Sequence, residues 1–200
     1  MSQNKFFSTK KAEDENISPP EQFISKYLSI HYEKIKNLSE DLQRLPTPEE
    51  IFFLQTDSAF NAFSFIPLIA KHQGIKELYA CTYSINKRVI DALIEMHDGG
   101  LIDSITLMIS DSMIKRNPVT IDHLSALVNG RPNIRVIYAW VHAKVCAMRT
   151  AHNHFVVEGS GNWSENAHYE QYTFVNSETV YEFRKKLFTQ ARIKHEANTD

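Results

Sequence analysis

The stretch His142-Ala143-Lys144-Val145-Cys146-Ala147-Met148-Arg149, followed across a polar turn by Phe155-Val156-Val157-Glu158-Gly159-Ser160-Gly161-Asn162-Trp163, decides how this 200-residue chain is read. Two short apolar runs separated by Thr150 to His154 predict a hairpin of two strands. Residues i and i+2 on a strand face the same way, so His142 and Lys144 set an imidazole beside an ammonium. Ser160 and Asn162 repeat that spacing in a glycine-bearing turn, where the backbone at Gly159 and Gly161 is free to approach an anion. Pairing the two strands then brings all four polar side chains side by side. Chemistry at a phosphodiester needs a nucleophile, compensation of charge on the nonbridging oxygens and a proton for the departing alkoxide, and this set is suited to it.

Outward from the hairpin the pattern alternates. Ile51 to Gln55, Lys76 to Tyr83, Ser104 to Ser110 and Ile134 to Ala139 read as strands, and Ala59 to Gln73, Asn86 to His97 and Ile121 to Val128 read as helices. Such an order predicts an α/β fold, a mainly parallel mixed β-sheet covered by helices on both faces. Gln171 to Val175 adds a strand, and Ser177 opens a final helix reaching to about His195. Upstream, residues 1–18 are polar and without periodicity, which predicts a disordered tail. Pro19-Pro20 opens an N-terminal helix over 19–45, with Ile24, Leu28, Ile35, Leu38 and Leu42 on one stripe and His31 within it as a core histidine. The α/β domain is expected over 49–196.

The pattern His142-x-Lys144 with Gly159-Ser160-x-Asn162 resembles the motif of the phospholipase D superfamily. The motif likeness covers about residues 130–176, and the element order is compatible from residue 50 onward. The resemblance implies a phospholipase D-like fold and a metal-independent phosphodiesterase, most simply a nuclease, acting through a phosphohistidine intermediate and needing no cofactor. It implies catalytic roles for His142, Lys144, Ser160, Asn162 and Glu170, with Glu170 falling where the family carries an acidic residue that orients the histidine. It also implies a nucleic-acid substrate, DNA ahead of RNA, and a homodimer with a composite active site, because the family uses two histidines and this chain holds one copy of the motif. Two departures stand out. Arg149 occupies the family's Asp position, and the interval to the Gly-Ser turn is three residues longer than usual. Strand parity turns Arg149 away from His142.

Composition bounds the alternatives. A net charge of −2 argues against capture of nucleic acid by bulk electrostatics, leaving a local patch among Lys115, Arg116, Arg131, Arg135 and Arg149. The two cysteines, Cys81 and Cys146, lie in apolar surroundings and read as buried thiols of a reducing compartment. No segment has the length and apolarity of a membrane span or a signal peptide, so a cytoplasmic protein without a membrane partner is expected. The substrate-binding set is Lys144, Gly159, Ser160, Gly161, Asn162 and Trp163, the last placed either to stack on a base or to plug the core. Thr56-Asp57-Ser58 and Thr82-Tyr83-Ser84 each follow a strand, on the rim where open α/β sheets bind ligands. His152-Asn153-His154 lacks the companions of a metal site. Two readings compete with the nuclease. One is a phosphate- or nucleic-acid-binding module with little turnover; the other is a lipid phosphodiesterase, disfavoured by the lack of a basic amphipathic segment.

Overall fold

The computed structural model describes residues 29–35, 42, 44–56, 61–164, 166, 168–191, 193 and 195–197, the first and last of these segments as backbone only. The strands are β1 (Ser29–Ile35), β2 (Glu50–Thr56), β3 (Glu77–Thr82), β4 (Ile105–Ser110), β5 (Ile134–Ala139), β6 (Val145–Arg149), β7 (His154–Gly159), β8 (Gln171–Asn176) and β9 (His195–Ala197). They form one sheet in the order β1-β2-β8-β7-β6-β3-β4-β5-β9. The sheet is mixed, as expected. The block β3-β4-β5 and the pair β1-β2 are parallel, and the remaining junctions are antiparallel. The central junctions are antiparallel because β6, β7 and β8 are joined as a meander, and such short connections cannot return a chain to a parallel register.

Among the described residues five α-helices pack on the sheet: α1 (Phe65–His72), α2 (Lys87–Asp98), α3 (Ser112–Arg116), α4 (Pro118–Val128) and α5 (Glu178–Thr189). Strand alternation divides the core into two layers. On one face Phe52, Leu78, Leu107, Val136, Met148, Phe155 and Phe174 pack with Ile66 and Ile69 of α1, Ile90 and Leu93 of α2 and Leu124 of α4. On the other, Met108, Ile137, Val145, Ala147, Val156 and Val175 pack with Tyr181 and Phe188 of α5. Both faces therefore carry helices. Local signals fix their starts: the Asn86 side chain accepts from Val89 N at 3.0 Å, and Pro118 opens α4 behind Asn117, whose side chain accepts from Thr120 N.

Three expectations are corrected at the ends of the chain. The helix expected over 19–45 is a strand where it is described, since Ser29–Ile35 runs parallel to β2 from Ser29↔Glu50 to Ile35↔Thr56. The unpaired edge of β2 offers this segment a full ladder, which outweighs a weak helical stripe. Residues 42, 44 and 45 of that range are not helical either, and the remainder of that expected helix, with the tail expected over 1–18, lies outside the described residues. The last helix stops at Thr189, well short of His195, which instead begins the short strand β9 against β5. Ser177 stands at the N-cap position of α5 but makes no side-chain capping bond.

Candidate active site

Every parallel strand of the sheet ends at the same edge, and the expected site residues gather there. The chain leaves β5 at Ala139, crosses the ends of β4 and β3 through residues 140–144, and enters β6 at Val145. His142 and Lys144 thus lie in irregular chain just ahead of β6 rather than inside the strand. Their spacing still works as expected: Lys144 Nζ lies 3.2 Å from His142 Nδ1 and 3.5 Å from Nε2. A neutral imidazole accepts from the ammonium through whichever nitrogen carries the lone pair. Gly159 N donates to Lys144 O at 3.3 Å, which ties the start of β6 to the end of β7 and brings the Gly-Ser turn alongside.

Ser160 Oγ donates to the Glu170 carboxylate and accepts from Gln171 N at 3.1 Å. Glu170 is itself fixed through its backbone, for its N–H donates to Thr56 Oγ1 at 2.8 Å and its carbonyl accepts from Thr56 N at 2.9 Å. Among the described residues the Glu170 carboxylate is seen to accept from Ser160, and no bond between it and His142 is seen. His142 rests instead on the ring of Tyr83, centroid to centroid 4.8 Å, and Tyr83 in turn lies beneath the guanidinium of Arg116 at 4.5 Å. Burial lowers the pKa of the Lys144 ammonium, and the negative field of Glu170 opposes that shift.

Asn162 is held by a reciprocal pair of bonds with Asn166: Asn162 N donates to Asn166 Oδ1 at 2.7 Å, and Asn166 Nδ2 donates to Asn162 O at 2.8 Å. Its own Oδ1 is buried and meets no donor among the described residues. Such an atom is costly unless a ligand or solvent reaches it.

Three expected substrate contacts have another role. Trp163 is 1% exposed, its ring against Phe63 at 5.5 Å and its backbone N–H donating to Ser84 O at 3.0 Å, so it plugs the core and cannot stack on a base. Gly159 and Gly161 are required by Tyr172: a Cβ at Gly159 would collide with Gln171 O and the Tyr172 ring, and one at Gly161 with the Tyr172 hydroxyl. The backbone N–H groups of Gly159 and Ser160 are already spent on Lys144 O and Gln171 O. An anion-binding nest at these two positions is therefore not available.

Cys146 packs in the core and Cys81 lies buried beside it in the sheet, both free thiols. Burial pushes the Cys81 thiol up to about 12 and the Cys146 thiol higher still, which removes the thiolate that a nucleophile needs. Arg149 lies at the far end of β6, where Nη2 donates to Glu77 Oε1 at 2.9 Å. His152 and Asn153 form the turn at that same distant end, and among the described residues no cluster of three or more His, Cys, Asp or Glu side chains is arranged for a metal ion. Sequence reasoning missed Asn166 and the support that Thr56 gives to Glu170, and it named Arg116 only as a member of a basic patch. The rim position of Thr56 and Tyr83 after their strands was the available signal.

No protein-family model matches the chain, and no curated protein matches it. Solved structures do. Polyphosphate kinase from Porphyromonas gingivalis superposes with a TM-score of 0.54 at 12% identity, covering 71% of this chain and 26% of its own. Phosphatidylserine synthase from Haemophilus influenzae Rd KW20 gives 0.49 at 13% identity, covering 70% of this chain and 36% of its own. The archaeal chromatin protein TrmBL2, described as having a novel mode of DNA binding, gives 0.46 at 10% identity, covering 70% and 52%. The chain spans between about a quarter and about half of the length of these structures. At such identity the likeness to the kinase speaks for the fold alone: an open mixed α/β sheet of the phospholipase D-like kind.

Proposed function

We propose that this protein is a metal-independent phosphodiesterase, most simply a nuclease, whose nucleophile is His142. The observation that carries the reading is the side-by-side placement of His142, Lys144 and the Ser160–Glu170 pair at one edge of a phospholipase D-like sheet. In the proposed reaction a ring nitrogen of His142 attacks phosphorus, a P–N bond forms and the P–O bond to the leaving alkoxide breaks. The alkoxide takes its proton from a second imidazole. Lys144 compensates the charge that grows on the nonbridging oxygens, and the buried, unpartnered Asn162 Oδ1 marks an amide poised to turn toward the same group. Glu170 positions Ser160, and Tyr83 fixes the plane of the imidazole. Water, deprotonated by the imidazole that earlier gave up its proton, then attacks the phosphohistidine; a P–O bond forms, the P–N bond breaks, and His142 leaves as the free imidazole with the phosphate product released.

The second imidazole is supplied by a two-fold dimer. An isologous interface sets the same patch of both subunits on the axis, so His142 of the partner subunit serves as the acid. Two imidazoles that close share one proton more readily than they hold two, which is the state the division of labour needs. DNA is favoured over RNA as substrate, and among the described residues no helix is long and apolar enough to cross a membrane.

Purified protein is incubated with single- and double-stranded DNA, RNA and a phosphatidyl diester, each with and without EDTA. Cleavage of nucleic acid that persists in EDTA and disappears in His142→Ala is the expected result. Turnover lost in EDTA and restored by magnesium removes this mechanism. Hybrid dimers of wild-type and His142→Ala chains are expected to be nearly inactive; retention of half the rate, or a monomer in sedimentation, removes the composite site. A binding module with slow turnover is the second reading, favoured by Glu170 holding Ser160 rather than the imidazole. Equal activity of wild type and His142→Ala would establish it.

A further inference from the structure

Among the exposed large apolar side chains, Trp140 at 86% and Tyr169 at 77% are the two most exposed, and both stand at the edge that carries His142. Trp140 is two residues before His142 on the crossing segment, no more than about 7 Å away along the chain. Tyr169 directly precedes Glu170 at the entry to β8. Between them lie Lys144 and Arg116. Arg116 rests on Tyr83, and its Nε donates to Ser112 Oγ at 3.2 Å. Neither cation forms an ion pair among the described residues, whereas Arg44, Arg131, Arg149 and Arg184 are each bound to a carboxylate. A single exposed aromatic needs no explanation, but two this exposed at one edge, with two cations of the same edge between them, suit a contact surface.

We propose that this edge takes a single-stranded nucleic acid, one base stacking on Trp140, another on Tyr169, and the intervening phosphates lying at Arg116 and Lys144. The inference rests on the phosphodiester reading of the His142 site and names its substrate class. From β5 to β8 the sheet end measures about 24 Å at the usual strand spacing. That suits about four nucleotides, the short end of known single-strand footprints. A duplex keeps its base faces stacked on one another and cannot offer them to Trp140 or Tyr169. With a net charge of −2, affinity comes from stacking more than from charge. Two phosphate contacts give a shallow salt slope, about −1.4 in log K against log salt for a single strand.

The test measures binding separately from cleavage. In the His142→Ala background, labelled twelve-nucleotide DNA and RNA single strands and a twelve-base-pair duplex are titrated by anisotropy, alongside intrinsic fluorescence. Because Trp163 is buried, quenching on binding reports Trp140. Single strands are expected to bind at least about tenfold more tightly than duplex, and Trp140→Ala or Tyr169→Ala to weaken them by about tenfold each, with Trp140→Ala abolishing the quench. Hydrolysis of methyl p-nitrophenyl phosphate, a diester without bases, is expected to be unchanged by Trp140→Ala in the otherwise wild-type protein. Unaltered single-strand binding in both aromatic variants, duplex binding as tight as single-strand binding, or no binding at all would overturn the proposal. Single-strand binding that needs Trp140, in a protein that hydrolyses no diester, would support it while removing the phosphodiesterase reading.

Discussion

The two ends of β6 carry a cation each, and the protein treats them in opposite ways. At the Arg149 end the charge is consumed internally: Glu77 accepts from Arg149, from the Tyr181 hydroxyl at 2.7 Å and from Lys185 Nζ at 3.3 Å. Arg149, with help from Tyr181 and Lys185, holds the Glu77 carboxyl down at about 2 against the desolvation that would raise it. At the Lys144 end the ammonium is partly desolvated, and its hydrogen bonds among the described residues go to a ring that carries no negative charge. A satisfied ion network fixes β3, β6 and α5 together. A partly desolvated cation beside an imidazole and a serine–carboxylate pair is the arrangement on which the proposed anion site rests, since functional sites are where such unbalanced groups collect. One strand therefore joins a structural end to the proposed reactive end.

The sharpest way to break this contrast is at the reactive end. His142→Ala is expected to lower turnover by at least about a thousandfold with the thermal midpoint and substrate binding nearly unchanged, because a nucleophile acts in the chemical step. Lys144→Ala is expected to cost about a hundredfold and to weaken binding as well, since an ammonium holds the phosphate before and during the reaction. Steady-state kinetics with a binding isotherm separates the two. A Lys144→Ala protein with full activity would show that the anion site lies elsewhere.

The structural end responds in stability. Arg149→Asp sets a second carboxylate against Glu77 and removes its principal donor; because the pair is partly exposed and screened, a loss of about 1 kcal/mol in denaturant unfolding is expected, with activity per folded molecule retained. A smaller effect comes from pH. The Glu77 carboxyl sits at about 2 when folded and near its ordinary value of 4.5 when not, so its contribution is complete above about pH 4.5 and is lost as pH falls toward 2. The Glu50 carboxyl, held at about 2 first of all by Arg44, adds to the same window. Glu77→Gln should flatten the fall of the thermal midpoint with pH between these limits; an unchanged slope would remove the network from the account. The smallest effect belongs to Lys144, whose lowered pKa places the alkaline limb of kcat/KM below the usual lysine range, and Lys144→Arg is expected to move that limb upward.

Much of the reactive end was legible because spacing alone specifies it. The i, i+2 spacing of His142 and Lys144 still brings the two side chains within 3.2 Å although both precede the strand. The hairpin was likewise readable from two apolar runs and a polar turn. Trp163 and the two glycines were not, because a Gly-rich turn looks the same whether its missing side chains make room for a phosphate or for a tyrosine from another strand. Only the packing of Tyr172, ten or more residues on, decides that. Arg149 was read correctly as facing away from His142, but its partner Glu77 lies 72 positions distant. The first strand was lost for a related reason: the edge of β2 that captures Ser29–Ile35 is a tertiary opportunity, and a helical stripe in the sequence carries no trace of it.

The most direct test of the central claim is capture of the covalent intermediate. Wild-type protein is mixed with a phosphodiester substrate in EDTA, quenched under alkaline conditions that preserve phosphohistidine, and examined by intact mass and peptide mapping. The account predicts an adduct of the mass of the transferred phosphoryl fragment on the peptide containing His142, absent from His142→Ala. Turnover that proceeds without any adduct, or an adduct mapped to another residue while His142→Ala remains active, would contradict it.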